Sequence, residues 1–183
     1  MLMLTKEQIM KSLERLSEEL EALGLQGEIM LTGGAAMCLV HSARDMTKDI
    51  DALYEPKSVV NQLVSKIAAE DGLPVDWLND SVKGFVTAAA PREDFLALPG
   101  LKVTTVSADY LLAMKLMSAR FGETDYGDIK FLMEKLDIST VESLQEVVMA
   151  YYPPERILPK TKYLIEQLVE EITEQGQEPN LSL

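Results

Sequence analysis

The stretch "LTGGAAMCLVHSARDMTKDIDALY", Leu31 to Tyr54, decides how this chain is read. Two glycines follow an apolar run, and after fourteen intervening residues Asp49-Ile50-Asp51 opens another. In a strand, residues two apart share a face, so Asp49 and Asp51 point together while Ile50 points into the core. Their Cα atoms then lie about 6.6 Å apart. At an effective dielectric of about 20, two like charges at that separation repel by roughly 2.5 kcal/mol. Full solvation lowers the penalty to below about 1 kcal/mol. A divalent cation turns the repulsion into attraction, and magnesium takes one or two carboxylates together with phosphate oxygens. The bland alternative is the solvated face of an edge strand.

Gly33-Gly34 sits at a predicted strand-to-helix corner, where missing side chains let a phosphate approach the backbone. The following helix start offers N–H groups and a partial positive charge. Neither G-x-G-x-x-G nor G-x-x-x-x-G-K-[ST] is present, so the familiar dinucleotide and P-loop cradles are excluded. Phosphates beside a carboxylate-bound metal describe a site for phosphoryl or nucleotidyl transfer.

The 183 residues suffice for one domain with a helical appendage, and 47% are apolar, which supports a sizeable core. The lone Cys38 rules out a disulfide framework and fits a reducing cytoplasm. There is neither a run of eighteen apolar residues nor a secretion-type start, so a soluble cytoplasmic protein without a membrane partner is expected. The formal net charge of -13 repels nucleic acid, and the lysines and arginines are scattered rather than clustered. A small nucleotide carried in with a cation remains compatible with that field.

Along the chain, Thr5-Lys6-Glu7-Gln8 reads as a capping box, and Ile9, Leu13, Leu16, Leu20 and Leu23 follow at helical spacing. Strands are expected over Gly27–Thr32, Asp49–Tyr54, Phe85–Ala89 and Leu101–Val106. Helices are expected over Ala35–Ser42, Lys57–Ala69, Ser107–Arg120, Tyr126–Leu136, from a Ser139/Glu142 capping box to Tyr151, and over Lys160–Thr173. Strands between helical ends predict an α/β core wrapped by C-terminal helices. Trp77 and Cys38 are expected in the core, His41 in a structural role, and Asp125 and Asp128 as helix-start charges.

The apolar strand, Gly-Gly, short helix and "TKDIDAL" together resemble the signature of the DNA polymerase beta-like nucleotidyltransferase superfamily. With "LPVDWLNDSVKGF" and "LLAMKLMSAR…DYGDIKFL", the chain is similar to a bacterial nucleotidyltransferase-like family of unassigned substrate, related to the AbiEii abortive-infection toxins. The similarity covers Gly27 to Leu136. It implies an α/β (α+β) nucleotidyltransferase-like mixed sheet flanked by helices. Residues 1–107 would form the core with its N-terminal helix, 108–175 a helical region and 176–183 a flexible tail.

The resemblance further implies that Gly33 and Gly34 hold the phosphates of a nucleoside triphosphate, and that Asp49 and Asp51 ligate two Mg2+ ions. Asp76, or else Asp80, would supply a third carboxylate. Thr47 and Lys48 match the residues before the acid pair, Lys115 and Arg120 would neutralise triphosphate charge, and Arg44 stands further from Thr47 than the pattern wants. An acceptor hydroxyl on a small molecule or protein fits the charge better than RNA, and a cognate antitoxin would be a partner if the chain is a toxin. The alternative is an inactive protein of the same fold that binds a nucleotide or a partner.

Overall fold

The computed structural model describes residues 3–87, 90–118 and 125–177. The chain divides into two compact units, Met1–Val86 with Ala90–Ser107, and Thr87–Ala89 with Ala108–Leu183. Among the described residues it is a mixed α/β protein with seven α-helices.

The first unit is built on a five-stranded sheet. Its strands are β2 (Gly27–Leu31), β4 (Ile50–Glu55), β5 (Leu78–Asn79), β6 (Arg92–Leu98) and β7 (Leu101–Val106), in the order β5-β4-β2-β7-β6. Before them in the chain come β1 (Leu4–Thr5) and α1 (Lys6–Ala22), and β1 pairs antiparallel with β3 (Met46–Thr47) in a separate ribbon. Strand β2 runs antiparallel to β4 and parallel to β7, while β5 runs parallel to β4 and β6 antiparallel to β7. The sheet is therefore mixed.

Period-two alternation gives this sheet one dry face. Ile29, Leu31, Ile50, Ala52, Tyr54, Leu101 and Val103 join a buried cluster with Ile9, Leu13, Leu16 and Leu20 of α1 and with Val60, Leu63, Val64 and Ile67 of α3 (Lys57–Asp71). The intervening residues share the other face, where register sets Met30 beside both Leu53 and Thr104. Asp51 lies on that second face, in step with Leu53.

Helix α1 starts as expected: Thr5 accepts from the Gln8 amide at 3.2 Å and the Gln8 side chain accepts from the Thr5 amide at 2.9 Å. Helix α2 (Gly33–Leu39) differs from the sequence expectation of Ala35–Ser42. It begins on Gly33, whose φ is +51°, and is over before Ser42, where φ is +52°. The strand expected over Phe85–Ala89 is absent from residues 85–87. A 3-10 turn, Ser81–Gly84, runs into a turn at Phe85, and residues 88–89 lie outside the described residues.

In the second unit, α4 (Ala108–Ser118) contacts α5 (Asp125–Lys135), α6 (Val141–Tyr151) and α7 (Pro159–Gln177). Seven consecutive residues of α4, Tyr110 to Leu116, are buried, the mark of a central helix wrapped on all sides. The cap of α6 is Thr140, which accepts from the Ser143 amide at 3.2 Å, and not the expected Ser139. The tail expected to be flexible falls mostly outside the described residues, although α7 extends to Gln177.

Candidate functional site

The glycine corner and the acid pair meet. Thr32 closes β2, and both its amide and its hydroxyl donate to the Asp51 carbonyl at 3.0 Å. That fixes the corner against β4. A Cβ on Gly33 would stand 3.0 Å from Asp51 Oδ2, and one on Gly34 only 2.2 Å from Thr47 Oγ1 and 3.1 Å from Arg44 Nη2. Gly34 is therefore required by contact, and Gly33 by its positive φ with a tight approach to Asp51 besides. Thr47 is buried behind the corner, and Lys48 is exposed.

Ile50 is fully buried between the two acids, as the strand period requires, while Asp49 and Asp51 are half-buried. The Ile50 amide donates to the Trp77 carbonyl at 2.7 Å, and the buried Trp77 indole donates to the Val64 carbonyl at 3.1 Å. Trp77 thus lies in the core and ties the acid-bearing strand to the segment before β5. Burial and then the Asp51 charge hold the Asp49 carboxyl above its ordinary range; Lys48 opposes the shift, Asp76 adds to it, and the Asn79 bond opposes it.

Sequence reasoning missed Asn79 and Ser81. The parallel pairing of β4 with β5 sets Asn79 opposite Asp51. The Asn79 amide nitrogen donates to Asp49 Oδ2 at 3.2 Å, and the Ser81 hydroxyl donates to Asp51 Oδ1 at 2.9 Å. The signal available was "WLND", in which Asn79 sits one residue from the acid that drew attention.

The two candidates for a third carboxylate fare differently. Asp76 is exposed in the turn before β5, close enough for its charge to be felt at Asp49. Asp80 is ion-paired with Lys57 and lies 3.8 Å from Lys83 Nζ, and the Lys57 bond holds its carboxyl below the usual range. Among the described residues, no three acidic, histidine or cysteine side chains gather closely enough to hold a metal. The donors Asp49 and Asp51 still suit a hard cation that draws its other oxygens from phosphate or water.

Lys115, expected to meet phosphate, is buried in the second unit with its ammonium 2.7 Å from both Asp125 Oδ1 and Asp128 Oδ2. Its charge is already matched, and the two aspartates at the start of α5 do more than complement a helix dipole. Arg120 lies outside the described residues. Cys38 is buried, as expected.

On the same sheet face as Asp51, a cleft of about 260 Å³ opens over Met30, Leu53 and Thr104. Glu28, Glu55, Lys57 and Arg92 also line it. Because β2 and β4 are antiparallel, the step from Asp51 to Leu53 leads back along β2 to Met30, away from Gly33. The glycine corner is therefore level with the acids, and the cleft lies further along the strand from them. No helix among the described residues is long and apolar enough to cross a membrane.

No curated protein matches the sequence. The crystal structure of an antigenic nucleotidyltransferase-like protein from Paracoccidioides brasiliensis is similar, with a TM-score of 0.46 and 14% identity, covering 92% of this chain and 95% of that one. A family model described as nucleotidyltransferase of unknown function (DUF6036) matches residues 10–172, nearly the whole length, and the chain belongs to that family.

Proposed function

We propose that this protein transfers a nucleoside monophosphate from a nucleoside triphosphate to an acceptor hydroxyl, releasing pyrophosphate, in a magnesium-dependent reaction. The observation that carries the reading is the contact between Gly33 and Asp51 Oδ2, where a side chain as small as a methyl would crowd the acid. The missing side chain lets Asp51 pack directly against the strand-to-helix corner, so the two carboxylates on one strand face and that corner lie side by side, where a cation-bound phosphate would meet both. Family membership supports nucleotidyl transfer as the reaction class.

Asp49 and Asp51 would hold the cation, which would offset the charge that builds on the transferring phosphoryl group and the leaving pyrophosphate. Gly33 and Gly34 would lie beside the phosphates, with Asp51, Thr47 and Arg44 packed where their side chains would be, and Lys48 would contribute positive charge nearby. The acceptor would enter from the cleft over Met30 and Leu53, further along the strand from the acids. A volume of about 260 Å³ suits a small molecule or a single protein side chain. With a net charge of -13, RNA is the less favoured acceptor. We read the protein as cytoplasmic, of bacterial type and kin to the AbiEii toxins, with a cognate antitoxin as a partner.

One observation favours a second reading, that of a non-catalytic nucleotide-binding or partner-binding protein. Asp76 is exposed on a turn, Asp80 is ion-paired to Lys57, and no three-acid cluster forms among the described residues. Calorimetry with ATP, GTP, CTP and UTP, with and without magnesium, separates the two. Metal-dependent binding lost in Asp49→Asn and Asp51→Asn, together with pyrophosphate release in cell extract, is expected of the enzyme. Binding that ignores magnesium, or no pyrophosphate release, would rule out turnover at this site.

A further inference from the structure

We propose that Asn79 and Ser81 are positioning residues that present Asp49 and Asp51 to one divalent cation rather than to two. The inference rests on the reading of Asp49 and Asp51 as cation ligands. It starts from register. Asn79 is the β5 residue paired with Asp51, so it occupies the place on the neighbouring strand nearest both acids. A carboxylate there would be a third ligand. The chain puts an amide there instead.

The amide is oriented without ambiguity. An ionised carboxylate only accepts, so the contact to Asp49 Oδ2 at 3.2 Å must come from the Asn79 NH2 group. Asn79 Oδ1 then accepts from the Ser81 amide at 3.0 Å and lies 2.6 Å from the Ser81 hydroxyl. That hydroxyl reaches Asp51 Oδ1 at 2.9 Å. A bracket results, running from Asp49 through Asn79 and Ser81 to Asp51. The one Ser81 proton has two acceptors, and the charged Asp51 oxygen is the stronger.

The bracket engages one oxygen of each acid and leaves the other. Asp51 Oδ2 is the oxygen turned to the glycine corner, 3.0 Å from where a Gly33 Cβ would be. One open oxygen per carboxylate, completed by phosphate and water, satisfies a single octahedral magnesium. Two ions about 3.5–4 Å apart need ligands enough to clamp both, and no third acidic, histidine or cysteine ligand joins the pair among the described residues. Partners behind metal ligands typically change affinity by about 10- to 100-fold when removed.

The test uses the full chain with manganese(II), alone and with a non-hydrolysable ATP analogue. Isothermal titration gives affinity and stoichiometry, and electron paramagnetic resonance distinguishes a lone ion from a coupled pair. Wild type is expected to bind one ion. Asn79→Ala and Ser81→Ala should each weaken it by roughly 10-fold or more, with metal-free melting and circular dichroism close to wild type. Ser81→Thr, which keeps the hydroxyl, should restore binding. Asn79→Asp should admit a second ion or a coupled signal.

Two ions in wild type would overturn the single-cation assignment. Unchanged affinity in Asn79→Ala and Ser81→Ala would overturn the positioning role. One ion in Asn79→Asp would show that position 79 is no ligand place, which overturns the account of why one ion suffices. If wild type binds no manganese even with the analogue, the reading of Asp49 and Asp51 as cation ligands falls, and this inference with it.

Discussion

Asp125 and Asp128 bracket the buried ammonium of Lys115 at 2.7 Å each, whereas Asp49 and Asp51 share a strand face with no ion-paired lysine or arginine among the described residues. The first pair is neutralised by the chain itself. The second is supplied with neutral hydrogen-bond donors, Asn79 and Ser81, which steady the carboxylates without cancelling their charge. Where the protein needs an acid pair for architecture, it brings the counter-charge into the fold. An acid pair without an ion-paired counter-charge against a buried strand costs stability, a cost that the cation proposed above would offset.

The largest expected effect lies on the neutralised side. Lys115→Met should destabilise the protein by about 3–5 kcal/mol, because it removes the buried ammonium that pairs with both Asp125 and Asp128. Denaturant unfolding followed by circular dichroism measures it, and a change below 1 kcal/mol would erase the contrast. Next comes Gly34→Ala. The added methyl meets Thr47 Oγ1 at 2.2 Å and Arg44 Nη2 at 3.1 Å, so the corner must shift. We expect a loss of roughly 1–3 kcal/mol in thermal melting, together with loss of nucleotide affinity in calorimetry.

Asp51→Asn should act in the opposite sense to Lys115→Met. The asparagine oxygen still accepts from Ser81, the repulsion on Asp49 disappears, and metal-free stability should rise by about 1 kcal/mol. A fall of that size in denaturant unfolding would mean that the pair is structural. Magnesium should then raise the melting temperature of wild type and leave Asp51→Asn unmoved.

The smallest effect is one of pH. The Asp49 carboxyl is held above its ordinary range, so between that range and its raised value the folded chain binds more protons than the unfolded one. Stability lost to this group therefore grows as pH rises through that window. The gain from Asp49→Asn should be greatest above the window and vanish below it. Melting curves of both proteins across pH, without metal, check the sign.

The parts of the fold carried by local chemistry were legible in the sequence. The Thr5–Gln8 box, the burial of Ile50 between Asp49 and Asp51, and the glycine corner each follow from residues a few positions apart. What was hidden depends on pairings between distant segments. Strand β5 has two residues and no period to read, yet its register with β4 is what puts Asn79 beside Asp51. Ser81 drew no notice for the same reason. Strand β6 went unrecognised because "REDFLAL" is largely exposed and lacks a clean alternation. Lys115 was misjudged because its partners lie ten and thirteen residues on, in the next helix. The Ser139/Glu142 spacing pointed to Ser139, yet the adjacent Thr140 hydroxyl takes the cap.

Trp77 is the chain's sole tryptophan. Its carbonyl holds the amide between the two acids, and its indole is anchored to α3. Any occupant that tightens or shifts the acid strand must act on this ring's surroundings. The protein thus contains its own optical gauge: emission from one fluorophore, excited without labelling, would change if the proposed cation loads the strand beside it.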